Sequence, residues 1–132
     1  MAISYGKDDA ARRVTFTVVG ELTLKDLIEA ADRQVAENAW SYALLLDASG
    51  RTGPAVSAPV VRTFAEHTAK LSFRHGLPGP FAVVVRDDVG YRMGRMFEVL
   101  SGSQTERLIK ICRSLEEAQA WLKSPGAPGR SN

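Results

Sequence analysis

The spacing of hydrophobic residues switches along this chain between the two-residue period of strands and the 3.6-residue period of helices. Strands are predicted at residues 3–7, 13–19, 42–46, 81–85 and 107–113. Helices are predicted after Thr23, at residues 58–75, after Asp87 or Asp88, and after Ser114. The order β-β-α-β-α-β-α-β-α is typical of an α/β fold. We expect a single domain with a five-stranded, mostly parallel mixed sheet and four main helices, with the opening hairpin as an antiparallel edge.

Two of the predicted strands are hydrophobic without interruption. Residues 42–46 and 81–85 contain no charged side chain, which is typical of strands covered on both faces. The helices that should supply this cover begin with capping signals: Thr23 is followed three residues later by Asp26, and Ser114 by Glu117. We therefore expect the middle of the sheet to lie between helices.

The composition of the chain argues against several classes of protein. The chain has 132 residues, 45% of them hydrophobic, which suits one globular domain at residues 1–123 followed by a disordered tail at residues 124–132. Its 17 Lys and Arg residues are interleaved with 15 Asp and Glu residues, a pattern that does not favour nucleic-acid binding. No segment resembles a signal peptide or a membrane span, so we expect a cytoplasmic protein without a transmembrane segment.

A polar loop follows the third predicted strand and holds the main candidate site. It contains Asp47, Ser49, Arg51 and Thr52, and it leads to Ser57 at the start of the second helix. Carboxyl ends of parallel strands are where α/β proteins usually place functional groups. The loop matches no nucleotide-binding motif, and no nucleophile here has a recognisable base. We therefore expect a protein that is not an enzyme, with no cofactor and no metal.

The third predicted helix has two glycines one turn apart, Gly90 and Gly94. Each costs the helix roughly 1 kcal/mol relative to alanine, so something must offset that cost. One explanation is close packing of the helix backbone. The other is a ligand or partner surface flanked by Tyr91, Arg92 and Arg95, because arginine binds anionic groups through paired donors.

The order of elements, the segment LLLDASGRTG, the helix start at Ser57 and the closing pattern YRMGRMFEVL and RLIKICRSLEEAQAWL together resemble small bacterial STAS-like proteins. These share the fold of the sporulation anti-sigma factor antagonist and are distantly related to CRAL-TRIO lipid-binding domains. The resemblance implies a non-catalytic regulatory protein. It also implies a phosphorylated serine at the start of the second helix, a position that Ser57 occupies here. The alternative is that Ser57 only caps the helix.

Two hypotheses for function follow. The first is a regulatory interaction module that binds a protein partner through the loop after Asp47 and the start of the second helix, with self-association as a homodimer as one form of such binding. The second is a carrier or sensor of a small apolar or amphipathic anionic ligand, lipid-like in character, held between the second and third helices.

Overall fold

The computed structural model describes residues 3–105, 107–123 and 125. This part of the chain forms five strands, β1 (Ile3–Asp8), β2 (Arg13–Val18), β3 (Ala43–Asp47), β4 (Phe81–Val84) and β5 (Ile109–Cys112), and four helices, α1 (Leu24–Ala36), α2 (Ala58–His75), α3 (Asp88–Thr105) and α4 (Leu115–Lys123). The predicted α/β class and element order are confirmed. The predicted tail, residues 124–132, lies outside the described residues apart from Pro125.

The strands lie in the sheet in the order of the sequence, β1-β2-β3-β4-β5. β1 is antiparallel to β2, and every later pair is parallel, so the predicted antiparallel edge is confirmed. Crossovers between parallel strands are right-handed, and a strand order that follows the chain therefore places α1, α2 and α3 on the same face. The fourth helix covers the opposite face.

Side chains of the central strands alternate between two hydrophobic clusters. Leu44 and Leu46 of β3 face the larger cluster, which includes residues of α1, α2 and α3, whereas Leu45 faces a smaller cluster under α4. The same alternation holds along β4, where Val83 belongs to the larger cluster and Val84 to the smaller one. Both faces of these strands are thus buried, as their uninterrupted apolar sequence predicts.

The predicted helix caps are present. Thr23 Oγ1 accepts a hydrogen bond from Asp26 N at 3.2 Å, and Asp26 Oδ2 accepts one from Thr23 N at 3.0 Å, which completes a capping box. Ser114 Oγ accepts from Glu117 N at 3.1 Å. The carboxylate of Glu117 accepts from Arg113 N, one residue before the serine, so the α4 cap departs slightly from the standard box.

Strand ends differ from the prediction by one or two residues, for reasons visible in the packing. Tyr42 belongs to the turn before β3, where its hydroxyl donates to Asp9 Oδ1 at 2.6 Å. Arg107 precedes β5. Its guanidinium is buried 4.7 Å from the centre of the Phe81 ring, its Nε donates to Gly79 O at 2.8 Å, and burial lowers its pKa to about 9.

Gly94 allows α3 to lie directly on β5. A β-carbon at this position would be 3.0 Å from both Cδ1 and Cγ2 of Ile111, a residue that is 6% exposed in the core. Two branches of one buried side chain oppose that carbon, so Ile111 would have to shift within a packed core to admit it. The geometry favours the close-packing explanation for this glycine.

We predict that Gly94→Ala destabilises the fold by up to about 2 kcal/mol, because overpacking costs about 1–3 kcal/mol and the roughly 1 kcal/mol that alanine gains in helix propensity offsets only part of that cost. Gly102→Ala is the matched control, since it lies in the same helix and a β-carbon there has no neighbour within 4 Å. Gly102→Ala should leave the free energy of unfolding unchanged or raise it. Urea unfolding of the three proteins measures both effects, and an unchanged midpoint for Gly94→Ala would contradict the packing role.

Candidate functional site

The loop after β3 is folded back on the end of that strand. Asp47 Oδ1 accepts hydrogen bonds from Ser49 N at 3.0 Å and from Ser49 Oγ at 2.6 Å. Thr52 is exposed, and its N–H donates to Gly20 O at 2.9 Å. The structure therefore brings Asp47 and Ser49 together, and the Asp47 carboxylate orders the loop that follows it.

The side chain of Arg51 extends to the loop between β4 and α3 rather than bonding to Asp47 or Ser49. Its side chain is only 10% exposed, with Nη1 donating to Gly53 O at 2.6 Å and Nη2 donating to Asp87 Oδ2 at 2.6 Å. Arg86 Nη2 returns a hydrogen bond to Arg51 O at 3.1 Å. One arginine thus joins the β3–α2 loop to the start of α3, and the sequence has no signal for this pair because its members are 36 residues apart.

Asp87 is the N-cap residue of α3. The sequence alone leaves Asp87 and Asp88 as candidates for this position. Its Oδ1 accepts a hydrogen bond from Gly90 N at 2.8 Å, while Oδ2 binds Arg51. The Gly90 N–H lowers the pKa of Asp87 most, and the nearby guanidiniums of Arg51 and Arg86 lower it further. A β-carbon on Gly90 would lie 2.9 Å from Asp87 Oδ1, so the glycine also leaves room for this carboxylate.

An apolar cavity of about 80 Å³ lies behind this link, between α2 and α3 and above the ends of β3 and β4. Its lining residues come from α1 and the segment before it, from α2 and α3, from the sheet and from the loops after β3 and β4: Leu22, Leu27, Leu46, Ala48, Arg51, Ala55, Val56, Val61, Phe64, Phe81, Val83, Val85, Gly90, Met93, Gly94 and Phe97. Arg51 is the single charged residue in this described lining. The sequence predicted a ligand space between these two helices, and an apolar space is found there.

The floor of the cavity is aromatic. Phe64 of α2 and Phe97 of α3 are stacked with their ring centres 5.3 Å apart, and Phe81 of β4 meets Phe97 edge-on at 5.8 Å. A smaller space of about 20 Å³ continues beyond Phe64 and Phe81 towards Gln34 and Arg107. Three packed rings therefore separate the cavity from the amino-terminal edge of the sheet.

Ser57 lies at the N-cap of α2, next to the cavity lining residue Val56. Its hydroxyl is exposed and accepts a hydrogen bond from Val60 N at 3.4 Å, a long distance for such a bond. The position fits a cap, and it leaves the hydroxyl open to solvent. Both predicted roles of Ser57 are compatible with this geometry.

The three candidates on α3 have different surroundings. Tyr91 is half-buried, and the Arg113 guanidinium lies 4.6 Å from the centre of its ring. Arg92 is exposed, whereas Arg95 is exposed and its Nε lies 3.3 Å from Glu98 Oε1. Their role in binding a ligand or partner stays a prediction.

No family model matches the chain, and a comparison with curated proteins finds no match. Among solved structures, the chain is similar to an uncharacterized protein from the DUF3478 family with a SpoIIAA-like fold from Shewanella loihica PV-4. The two share a TM-score of 0.56 and 20% sequence identity, over 92% of this chain and 92% of that one. The chain has a SpoIIAA-like, or STAS-like, fold. The predicted resemblance is thus confirmed at the level of the fold.

The described residues lack two features that would suggest other classes of function. No helix of this SpoIIAA-like fold is long and apolar enough to cross a membrane. No group of three or more His, Cys, Asp or Glu residues in the same part of the chain is placed to hold a metal ion.

We predict that Asp87 makes the fold more sensitive to acid. Its folded-state pKa is lowered below the ordinary aspartate value of 3.8, so its ionised form contributes stability above that pH, and the contribution is lost as the pH falls through the lowered pKa. Asp87→Asn removes the titrating group. Between pH 5 and pH 2, the melting temperature of this variant should therefore fall less steeply than that of the wild type, and parallel slopes would contradict the prediction.

Proposed function

We propose that this protein is a non-catalytic binding module, a carrier or sensor that holds a small amphipathic anion in the cavity between α2 and α3. The observation that carries this proposal is an apolar cavity of about 80 Å³ whose described lining includes one charged residue, Arg51. Small-molecule sites are commonly concave and mostly apolar, with a few polar groups that orient the ligand.

The size of the cavity suggests the size of the apolar part of the ligand. About 10–15 Å³ is the least space that admits one water-sized group, so a cavity of about 80 Å³ admits several. A methylene group is similar in size to water, so the cavity has room for several methylene groups of a hydrocarbon chain. Met93 is half-buried in the lining, and its flexible thioether can adapt to chains of somewhat different shape.

We predict that wild-type protein binds octanoate and that Val61→Phe abolishes this binding. Val61 lines the cavity from α2 and is 4% exposed, so the larger ring should occupy the space that the hydrocarbon chain needs. Val99→Phe is the matched control, because Val99 is 67% exposed on α3 and does not line the cavity. Isothermal titration calorimetry measures the affinity, and circular dichroism checks that each variant is folded.

Two results would contradict the proposal. One is a wild-type protein that shows no saturable heat with octanoate. The other is a folded Val61→Phe protein that binds octanoate as tightly as Val99→Phe does.

A second candidate function is supported by the exposed hydroxyl of Ser57. In this alternative the protein is a regulatory module whose partner contacts the loop after Asp47 and the start of α2, and phosphorylation of Ser57 controls the contact. A phosphate at a helix N-terminus would meet the positive end of the helix dipole and the unpaired amides of the first turn. Tyr91, Arg92 and Arg95 would extend this surface, and homodimer formation is one version of it.

We predict that a lysate of the source organism supplied with labelled ATP phosphorylates the wild-type protein and not Ser57→Ala. Peptide mass spectrometry locates the modified residue. Ser49→Ala is the control, because Ser49 donates its hydroxyl to Asp47 and is only half-exposed. If the cap is the sole role of Ser57, the wild type and Ser57→Ala both stay unlabelled. Ser57→Ala should then lose about 0.5–2 kcal/mol of stability.

A further inference from the structure

The mouth of the cavity holds an arginine whose ionic partner is far more exposed than the arginine itself. The Arg51 side chain is 10% exposed, and the Asp87 side chain is 49% exposed. If the pair separates, Asp87 can turn its Oδ2 to water at small cost, whereas Arg51 stays in a site from which water is largely excluded. A buried charge without a partner is costly, so Arg51 then needs a replacement anion.

The remaining contacts keep the guanidinium in place during such an exchange. Arg51 Nη1 donates to Gly53 O at 2.6 Å, and the backbone of Arg51 is held by the hydrogen bonds from its N to Ala48 O and from Arg86 Nη2 to its own O. The contacts with Gly53 and Asp87 use two of the five N–H donors of a guanidinium. The residue is therefore a fixed donor at the edge of an apolar space.

The N-cap of α3 can stay intact when Asp87 releases Arg51. Asp87 Oδ1 accepts the Gly90 N–H at 2.8 Å, a bond that does not involve Oδ2. The cap of α3 can thus persist while the oxygen that binds Arg51 becomes solvated. The exchange requires a rotation of the Asp87 side chain rather than an opening of the helix.

From this geometry we propose that Arg51 is the residue that selects the head group of the ligand, by exchanging the carboxylate of Asp87 for that of a monoanionic amphiphile whose chain enters the cavity. This inference rests on the proposed carrier or sensor function. The single positive charge of the described lining matches one negative charge on the ligand, and the apolar walls match its chain. Asp87 is then a competitor that weakens binding, which distinguishes this role from simple structural support.

The test compares octanoate with 1-octanol, which has the same chain and a neutral head. Calorimetric titration of the wild type should show octanoate binding about tenfold or more tightly, the size expected for hydrogen bonds to a charged group. Arg51→Met should bring the two affinities within about threefold of one another. Asp87→Asn should raise the affinity for octanoate by about threefold or more and leave that for 1-octanol unchanged, because the asparagine oxygen can still accept from Gly90.

Arg74→Met is the control for net charge, since Arg74 is exposed in the last turn of α2 and does not line the cavity. It should behave as the wild type. An octanoate preference that survives in Arg51→Met, or a weaker octanoate affinity in Asp87→Asn, would refute the head-group role while leaving cavity binding intact. If Arg51→Met does not fold, the Asp87→Asn result decides. If the wild type binds neither compound, the carrier or sensor function fails and this inference fails with it.

Discussion

The central strands β3 and β4 need cover on both faces, and the rest of the structure depends on how the helices supply it. Because the strand order follows the chain, three of the four helices lie on one face and only α4 lies on the other. Three helices on one face must share the surface of a twisted sheet. Gly94 brings α3 close to β5 at Ile111, while an apolar cavity remains between α2 and α3 at the carboxyl edge of the sheet.

The edge of that cavity is where the fold places its polar connections. Two loops that are distant in sequence meet there, and Arg51 joins them by bonding to Gly53 and Asp87. A buried guanidinium is expensive unless its donors are satisfied, so the same contacts that stabilise the loops also hold a positive charge beside an apolar space. This combination is the basis for the proposed site for an amphipathic anion.

The two candidate functions share one segment of the chain. Ala55 and Val56 line the cavity, and the next residue, Ser57, caps α2 with its hydroxyl exposed. A ligand that shifts Val56 would change the surface around Ser57, and a partner bound at Ser57 would restrict Val56. By linkage, any such effect must act equally in both directions, so the two proposed activities would be coupled through this segment.

The sequence by itself determined the elements and their order. Thr23 with Asp26, Ser57 with Pro59, and the apolar residues of β3 and β4 each act through neighbours within a few positions, so their effect can be read locally. It also gave rise to the hypotheses of a binding loop after Asp47 and of a ligand between α2 and α3, where the structure has an apolar cavity. Only the tertiary structure decided that Arg51 turns away from Asp47 to bind Asp87, and that Arg107 packs on Phe81 before β5 begins. Those contacts join residues that are far apart in the chain. Which residues meet depends on how whole helices and strands pack, and a local sequence pattern carries no information about that packing.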